Sequence, residues 1–85
     1  MEQQLFVIEF GTASAELLVN AGTSRERFNL ASKEGATYSV LTTSDFSELE
    51  RWRLFLNREV CPYRYGEVEP RGIREMGRSR SPDWI

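Results

Sequence analysis

The clearest pattern of apolar and polar positions predicts an amphipathic helix over residues 45–60. Asp45 is a typical N-cap residue, and Glu48, three residues later, is placed to complete a capping box. At about 100° per residue, five apolar side chains fall on one stripe of this helix; they are Phe46, Leu49, Trp52, Leu56 and Val60. Pro62 ends the helix because its ring disfavours helical geometry at Cys61. The stripe requires an apolar surface to pack against, and we expect the preceding segments to supply it.

The segments before the helix have the patterns of β-strands. Residues 4–10 are apolar on both faces, which indicates a strand that lies inside a sheet or against a partner. Residues 26–31 and 36–42 alternate between apolar and polar positions, and Gly35 between them can adopt the positive φ of a hairpin turn. The side chains expected to face inward from these two strands are Phe28, Leu30, Tyr38 and Val40.

Residues 15–20 allow two interpretations. As a strand they would place Leu17 and Val19 inward, and as a short helix they would end at Gly22 in the left-handed conformation. We adopt the strand. The sequence then predicts an α+β fold, a small four-stranded antiparallel β-meander covered by one α-helix. The strands of this meander are residues 4–10, 15–20, 26–31 and 36–42.

The composition changes after the predicted helix. Residues 62–85 contain all three prolines of the chain and few aliphatic side chains. They are therefore expected to form an extended, partly ordered tail rich in Arg and Glu, after a single compact domain over residues 1–61. Within this tail, residues 63–65 and 67–69 are able to add a short edge strand.

The residue types present offer little catalytic chemistry. The 85 residues include no histidine, which is the commonest general base and metal ligand, and only one cysteine, Cys61. Neither a disulfide nor a zinc site can form within one chain, and no phosphate-binding glycine motif is present. We therefore expect no enzymatic activity, cofactor or metal. The apolar run near the amino terminus is too short to span a membrane, so the sequence predicts a cytoplasmic protein.

Several apolar side chains exceed what one small core requires, and they predict a protein interface. Leu54 points almost opposite the apolar stripe, Phe55 lies at its margin, and Leu5 and Val7 occupy the second face of the first strand. Trp84 is an aromatic residue near the end of a polar tail, where such residues often dock. These residues favour a non-catalytic interaction module, an adaptor, inhibitor or assembly factor that self-associates. The competing interpretation is that the tail folds back over them.

Nucleic-acid binding is the alternative function that the sequence allows. Two tyrosines would stack on bases and four arginines would contact phosphates; they are Tyr63, Tyr65, Arg71, Arg74, Arg78 and Arg80. However, residues 62–85 contain five arginines and four acidic residues, a net charge of only +1, and the whole chain has a formal charge of −2. The small size and the lack of histidine also suit an accessory protein of a phage or mobile element.

Overall fold

The computed structural model describes residues 4–33 and 35–79. This part of the chain forms one five-stranded sheet and two α-helices. In chain order the elements are β1 (Phe6–Gly11), α1 (Ala15–Asn20), β2 (Asn29–Lys33), β3 (Ala36–Thr43), α2 (Phe46–Arg58), β4 (Tyr63–Glu69) and β5 (Gly72–Arg78). The α+β class is confirmed, whereas the predicted count of four strands and one helix is too low by one of each.

The sheet is antiparallel throughout, with the strand order β2-β3-β1-β4-β5. It is therefore not a meander, because β1 is its central strand. Each helix joins two parallel strands that are separated by one antiparallel strand: α1 joins β1 to β2 across β3, and α2 joins β3 to β4 across β1. This split βαβ connectivity is the ferredoxin-like arrangement, with β5 added at one edge. The central position of β1 explains why its sequence is apolar on both faces.

The hydrophobic core lies between the two helices and one face of the sheet. Its buried members are Phe6, Ile8, Phe10, Leu18, Leu41, Leu49, Trp52, Leu56 and Tyr63. The indole of Trp52 donates a hydrogen bond to Oγ1 of the buried Thr23, at 3.2 Å. This hydrogen bond gives the indole N–H of the largest buried side chain a partner, and it links the loop after α1 to helix α2.

Residues 15–20 form a helix and not the predicted strand. Leu18 is the residue that reaches the core, while Leu17 and Val19 are only half-buried. The helix ends in a Schellman turn, in which Thr23 N donates to Leu18 O (2.9 Å) and Gly22 N donates to Val19 O (3.0 Å). Gly22 has φ 106°, so the glycine provides the left-handed cap that decides between the two interpretations.

The hairpin of β2 and β3 is confirmed, with Gly35 at φ 84° in its turn, but the side chains of β3 that face inward are not the predicted ones. Ser39 and Leu41 face the core, since they pair with Phe10 and Ile8 of β1. Tyr38 and Val40 therefore project from the opposite face, and Leu30, which shares the face of its neighbour Ser39, is 71% exposed at the edge. Phe28 does pack on the core, by an edge-to-face contact with Phe10.

Helix α2 follows the prediction closely but is shorter at its end. Asp45 caps it by accepting a hydrogen bond from Ser47 N at 2.9 Å. Glu48 does not complete a capping box, because Asp45 N donates to Thr43 Oγ1 and the Glu48 carboxylate binds Arg27. Of the predicted apolar stripe, the central residues are buried, while Phe46 and Val60 at the two ends are 46% and 58% exposed. Val60 lies beyond the last helical residue.

The predicted tail is largely a β-hairpin. Within the described part of the chain, β4 pairs with β1 and β5 pairs with β4, so these residues complete the sheet. Pro70 and Arg71 occupy the turn, and Gly72 has φ 139°. The pairing contains a bulge, because the adjacent residues Tyr65 and Gly66 pair with Gly77 and Glu75 and leave Met76 as the extra residue.

Candidate interaction surfaces

The sheet has a second face, opposite the two helices, and we call it the open face. Because side chains alternate along a strand, Phe6 and Ile8 point into the core and Val7 and Glu9 point to the open face. Val7 and Glu9 are nonetheless only 2% and 4% exposed.

One end of the open face is apolar. Leu5, which immediately precedes β1, lies beside Val68 of β4 and Ile73 of β5: Val68 N donates to Leu5 O at 2.8 Å, and Val68 pairs with Ile73. They are 38%, 38% and 40% exposed, and we call them the apolar row. Gly66, beside the row, leaves room for Ile73, whose Cγ2 lies 2.9 Å from where a Cβ on Gly66 would be. The row is a contiguous apolar surface that no described helix covers.

The other end of the open face is a closed set of ion pairs. Arg64 Nε donates to Glu9 Oε1 at 2.8 Å and lies 3.9 Å from Glu75 Oε1, and Arg78 Nη2 is 2.7 Å from the same Glu75 oxygen. Burial of the ring and the neighbouring Glu9 carboxylate raise the pKa of Tyr38 above its usual value. The two acidic and two basic groups of this set thus neutralise one another.

A second surface lies where both helices end. Leu54 is 57% exposed, as predicted, while Phe55 is half-buried and packs partly against the core. A groove of about 210 Å³ separates the two helices here, and we call it the helix groove. It is lined by Leu17, Asn20, Ala21, Phe55, Arg58 and Glu59.

The structure separates the residues that the sequence grouped as one interface. Leu5 and Val7 lie on the open face, while Leu54 and Phe55 lie on the helix side of the molecule. Trp84 lies outside the described residues. The open face gains Val68 and Ile73, which sequence reasoning missed. The signal that would have found them is the turn pair Pro70 and Gly72 between two segments that contain strand-favouring residues, namely Tyr63, Tyr65, Val68 and Ile73.

The residues predicted to bind nucleic acid do not form a stacking platform. Tyr63 is buried and its hydroxyl donates to Asn57 Oδ1 at 3.0 Å, while the ring of Tyr65 is covered by the Arg53 guanidinium, 3.9 Å from its centroid. Arg74 forms ion pairs with Glu67 and Glu69, and Arg78 with Glu75. Arg71 is exposed at the hairpin turn and forms no ion pair among the described residues. Arg80 lies outside them.

Residues 4–33 and 35–79 contain no group of three or more His, Cys, Asp or Glu side chains that could hold a metal ion. Neither α-helix in this part of the chain has the length and apolar content needed to cross a membrane. No protein-family model matches the chain, and comparison with curated proteins and with solved structures finds no match either.

Proposed function

We propose that this chain is a non-catalytic protein–protein interaction module, of the adaptor, inhibitor or assembly-factor kind, that self-associates through the open face of its sheet. The observation that carries this proposal is the apolar row, in which Leu5, Val68 and Ile73 lie side by side and remain 38–40% exposed. Exposed apolar side chains are common singly, but a contiguous set on an uncovered sheet face is typical of an interaction site.

The charges of the open face favour a second copy as the partner. Glu9, Arg64, Glu75 and Arg78 already pair within one molecule, so a second open face can cover these four groups without leaving any of them unpaired. A two-fold axis through the apolar row would bring each row onto the other, as an isologous interface requires.

Pairing through the sheet edge is the less favourable way to associate. The outer strand β5 is interrupted by the bulge at Met76 and carries Arg74, Glu75 and Arg78. Bulges and charges on an edge strand are devices that prevent edge-to-edge pairing. We therefore assign self-association to the open face and not to the β5 edge.

The size of the row sets the strength of association that we expect. Full burial of a Val, Leu or Ile side chain contributes about 1.5–3 kcal/mol, so the exposed 38–40% of each side chain is worth roughly 0.6–1.2 kcal/mol. Two rows together contribute about 4–7 kcal/mol, against an association cost of about 4–15 kcal/mol. The row alone therefore at most slightly exceeds this cost, and association in the micromolar to submillimolar range needs further contacts from the rest of the face. A cytoplasmic location remains our expectation for this module.

Sedimentation velocity from low micromolar to submillimolar concentration tests the proposal. The wild type is expected to shift from monomer towards dimer as concentration rises, and Val68→Lys to remain monomeric. Leu54→Lys is the matched control, since it places the same charge at an exposed apolar position on the other side of the molecule. A monomeric wild type over the whole range, or equal association by all three proteins, would reject the open face as a self-association site.

A further inference from the structure

The helix groove is a second surface, distinct from the open face, and its floor is apolar. Leu17 and Ala21 approach it from α1 and Phe55 from α2, each of them only partly covered by the rest of the chain. Its volume of about 210 Å³ suits one large side chain of a partner and not an extended surface. Pockets of this size that accept a single anchor residue are a common basis of protein recognition.

The backbone beside the groove is held in an unfavourable conformation. Helix α2 ends in a Schellman turn, with Cys61 N donating to Leu56 O (2.9 Å) and Val60 N donating to Asn57 O (3.1 Å). Val60 has φ 55°, the left-handed region in which a β-branched residue is strained, whereas α1 uses Gly22 at the same position of its own turn. Val60 follows the groove-lining Glu59 and is 58% exposed. The chain thus presents an apolar side chain beside the groove at a position where glycine would be less strained.

The charged residues at the rim of the helix groove indicate the charge of the partner segment. Seven arginines of the described part form ion pairs with carboxylates; they are Arg25, Arg27, Arg51, Arg53, Arg64, Arg74 and Arg78. Arg58, which lines the helix groove, forms none among these residues, so its guanidinium is available to an external carboxylate. Glu59 on the same rim also forms no ion pair there, and it opposes the binding of an acid.

We propose that the helix groove binds a segment of another protein that inserts one large apolar side chain between α1 and α2 and places a neighbouring carboxylate on Arg58. The apolar floor determines the anchor, and the guanidinium determines the charge beside it. This site is independent of the open face, so the failure of either proposal leaves the other to be judged by its own experiment.

Titration of the uniformly ¹⁵N-labelled chain with capped dipeptides, followed by amide chemical shifts, tests this proposal. The probe is acetyl-Glu-Phe-amide, and acetyl-Gln-Phe-amide, acetyl-Lys-Phe-amide and acetyl-Glu-Ala-amide are its controls. Saturable shifts are expected for amides of residues 17–21 and 55–59, with affinity decreasing from Glu-Phe through Gln-Phe to Lys-Phe. Glu-Ala is expected to produce no saturable shifts.

Charge variants distinguish specific binding at the helix groove from non-specific binding of the peptides. Arg58→Gln should weaken acetyl-Glu-Phe-amide about two- to fivefold, the value of one exposed ion pair, and Glu59→Gln should strengthen it. Arg71→Gln is the matched control, because Arg71 is likewise without an ion pair in the described residues but lies at the β4–β5 turn; its affinity should equal that of the wild type. The proposal is overturned by the absence of saturable shifts, by equal affinity for the Lys-Phe peptide, or by an Arg58→Gln variant that binds like the wild type. Shifts of the same groove residues on concentrating the protein alone would also overturn it, since they would make a second copy the occupant.

Discussion

The ion pair between Arg27 and Glu48 joins the turn before β2 to helix α2. The substitution Glu48→Gln removes the negative charge of this pair. The guanidinium binds both carboxylate oxygens, with Nη1–Oε2 at 2.9 Å and Nη2–Oε1 at 2.8 Å, and also donates to Thr42 O at 3.1 Å. These hydrogen bonds from Arg27 lower the pKa of Glu48 from 4.5 to about 2. Arg27 also lies 5.3 Å from the centroid of the Trp52 ring, so one side chain connects three parts of the fold.

The expected magnitude follows from this pKa. A fall of about 2.5 units corresponds to roughly 3.4 kcal/mol if the pair were fully shielded from solvent. The Arg27 side chain is 39% exposed and that of Glu48 is 19% exposed, so solvent screening reduces this value to about 1–2 kcal/mol. Because the folded-state pKa is the lower one, the stabilisation is fully present above pH 4.5 and is lost as the pH falls towards 2.

Urea unfolding followed by far-UV circular dichroism, repeated across this pH range, measures the effect. At neutral pH, Glu48→Gln should lower the free energy of unfolding by about 1–2 kcal/mol, and the difference from the wild type should shrink as the pH decreases from 4.5 to 2. The single variant Arg27→Gln and the double variant Arg27→Gln/Glu48→Gln complete a double-mutant cycle, which measures the coupling energy between the two side chains. A difference that stays constant with pH, or a coupling energy of zero, would refute the assignment of the pKa shift to Arg27.

Two further substitutions test the backbone features. Val60→Gly should raise the free energy of unfolding by up to about 1 kcal/mol. Glycine relieves about 1–2 kcal/mol of left-handed strain and costs about 0.5–1 kcal/mol of backbone entropy. If thermal unfolding showed the variant to be less stable than the wild type, the claim that Val60 is strained would be contradicted. Gly66→Ala should destabilise by about 2 kcal/mol or more, since the added Cβ would lie 2.3 Å from the carbonyl oxygen of Arg74. Gly35→Ala is its control, with no atom within 4 Å of the new Cβ, and its cost should be limited to about 1 kcal/mol of left-handed strain.

Local signals in the sequence predict part of this fold well. Helix α2 follows from its N-cap and its apolar stripe, and the hairpin of β2 and β3 follows from alternation about Gly35. Strand β1 is recognisable from its composition, but its central position depends on pairing with β3 and β4, which lie far away in the chain. The pattern of apolar and polar residues does not indicate which distant strands pair.

Two of the predictions made from the sequence, the inward face of β3 and the extended tail, are wrong for the same physical reason. In β3, both alternating sets contain apolar residues, and only the pairing of Leu41 with Ile8 of β1 decides which set faces the core. In residues 62–79, the prolines and charges resemble a tail, yet β1 offers Tyr63 and its neighbours a partner strand. Tertiary pairing therefore overrides local composition in both places.

The candidate surfaces were predictable only in part. The exposure of Leu54 follows from its position opposite the apolar stripe, and Leu5 follows from the second face of β1. That Leu5 meets Val68 and Ile73, and that Val7 is buried, depends on the register of β1, β4 and β5. The surface arises from three segments that only the folded sheet brings together.

A dilution series of ¹⁵N amide chemical shifts on the wild-type chain is the most direct test of self-association through the open face. If the proposal holds, shifts change with protein concentration at the amides of Leu5, Val68 and Ile73 and their open-face neighbours, while those of α1 and α2 remain constant. Shifts that do not depend on concentration, or that change around Leu54 and leave the sheet unaffected, would contradict it.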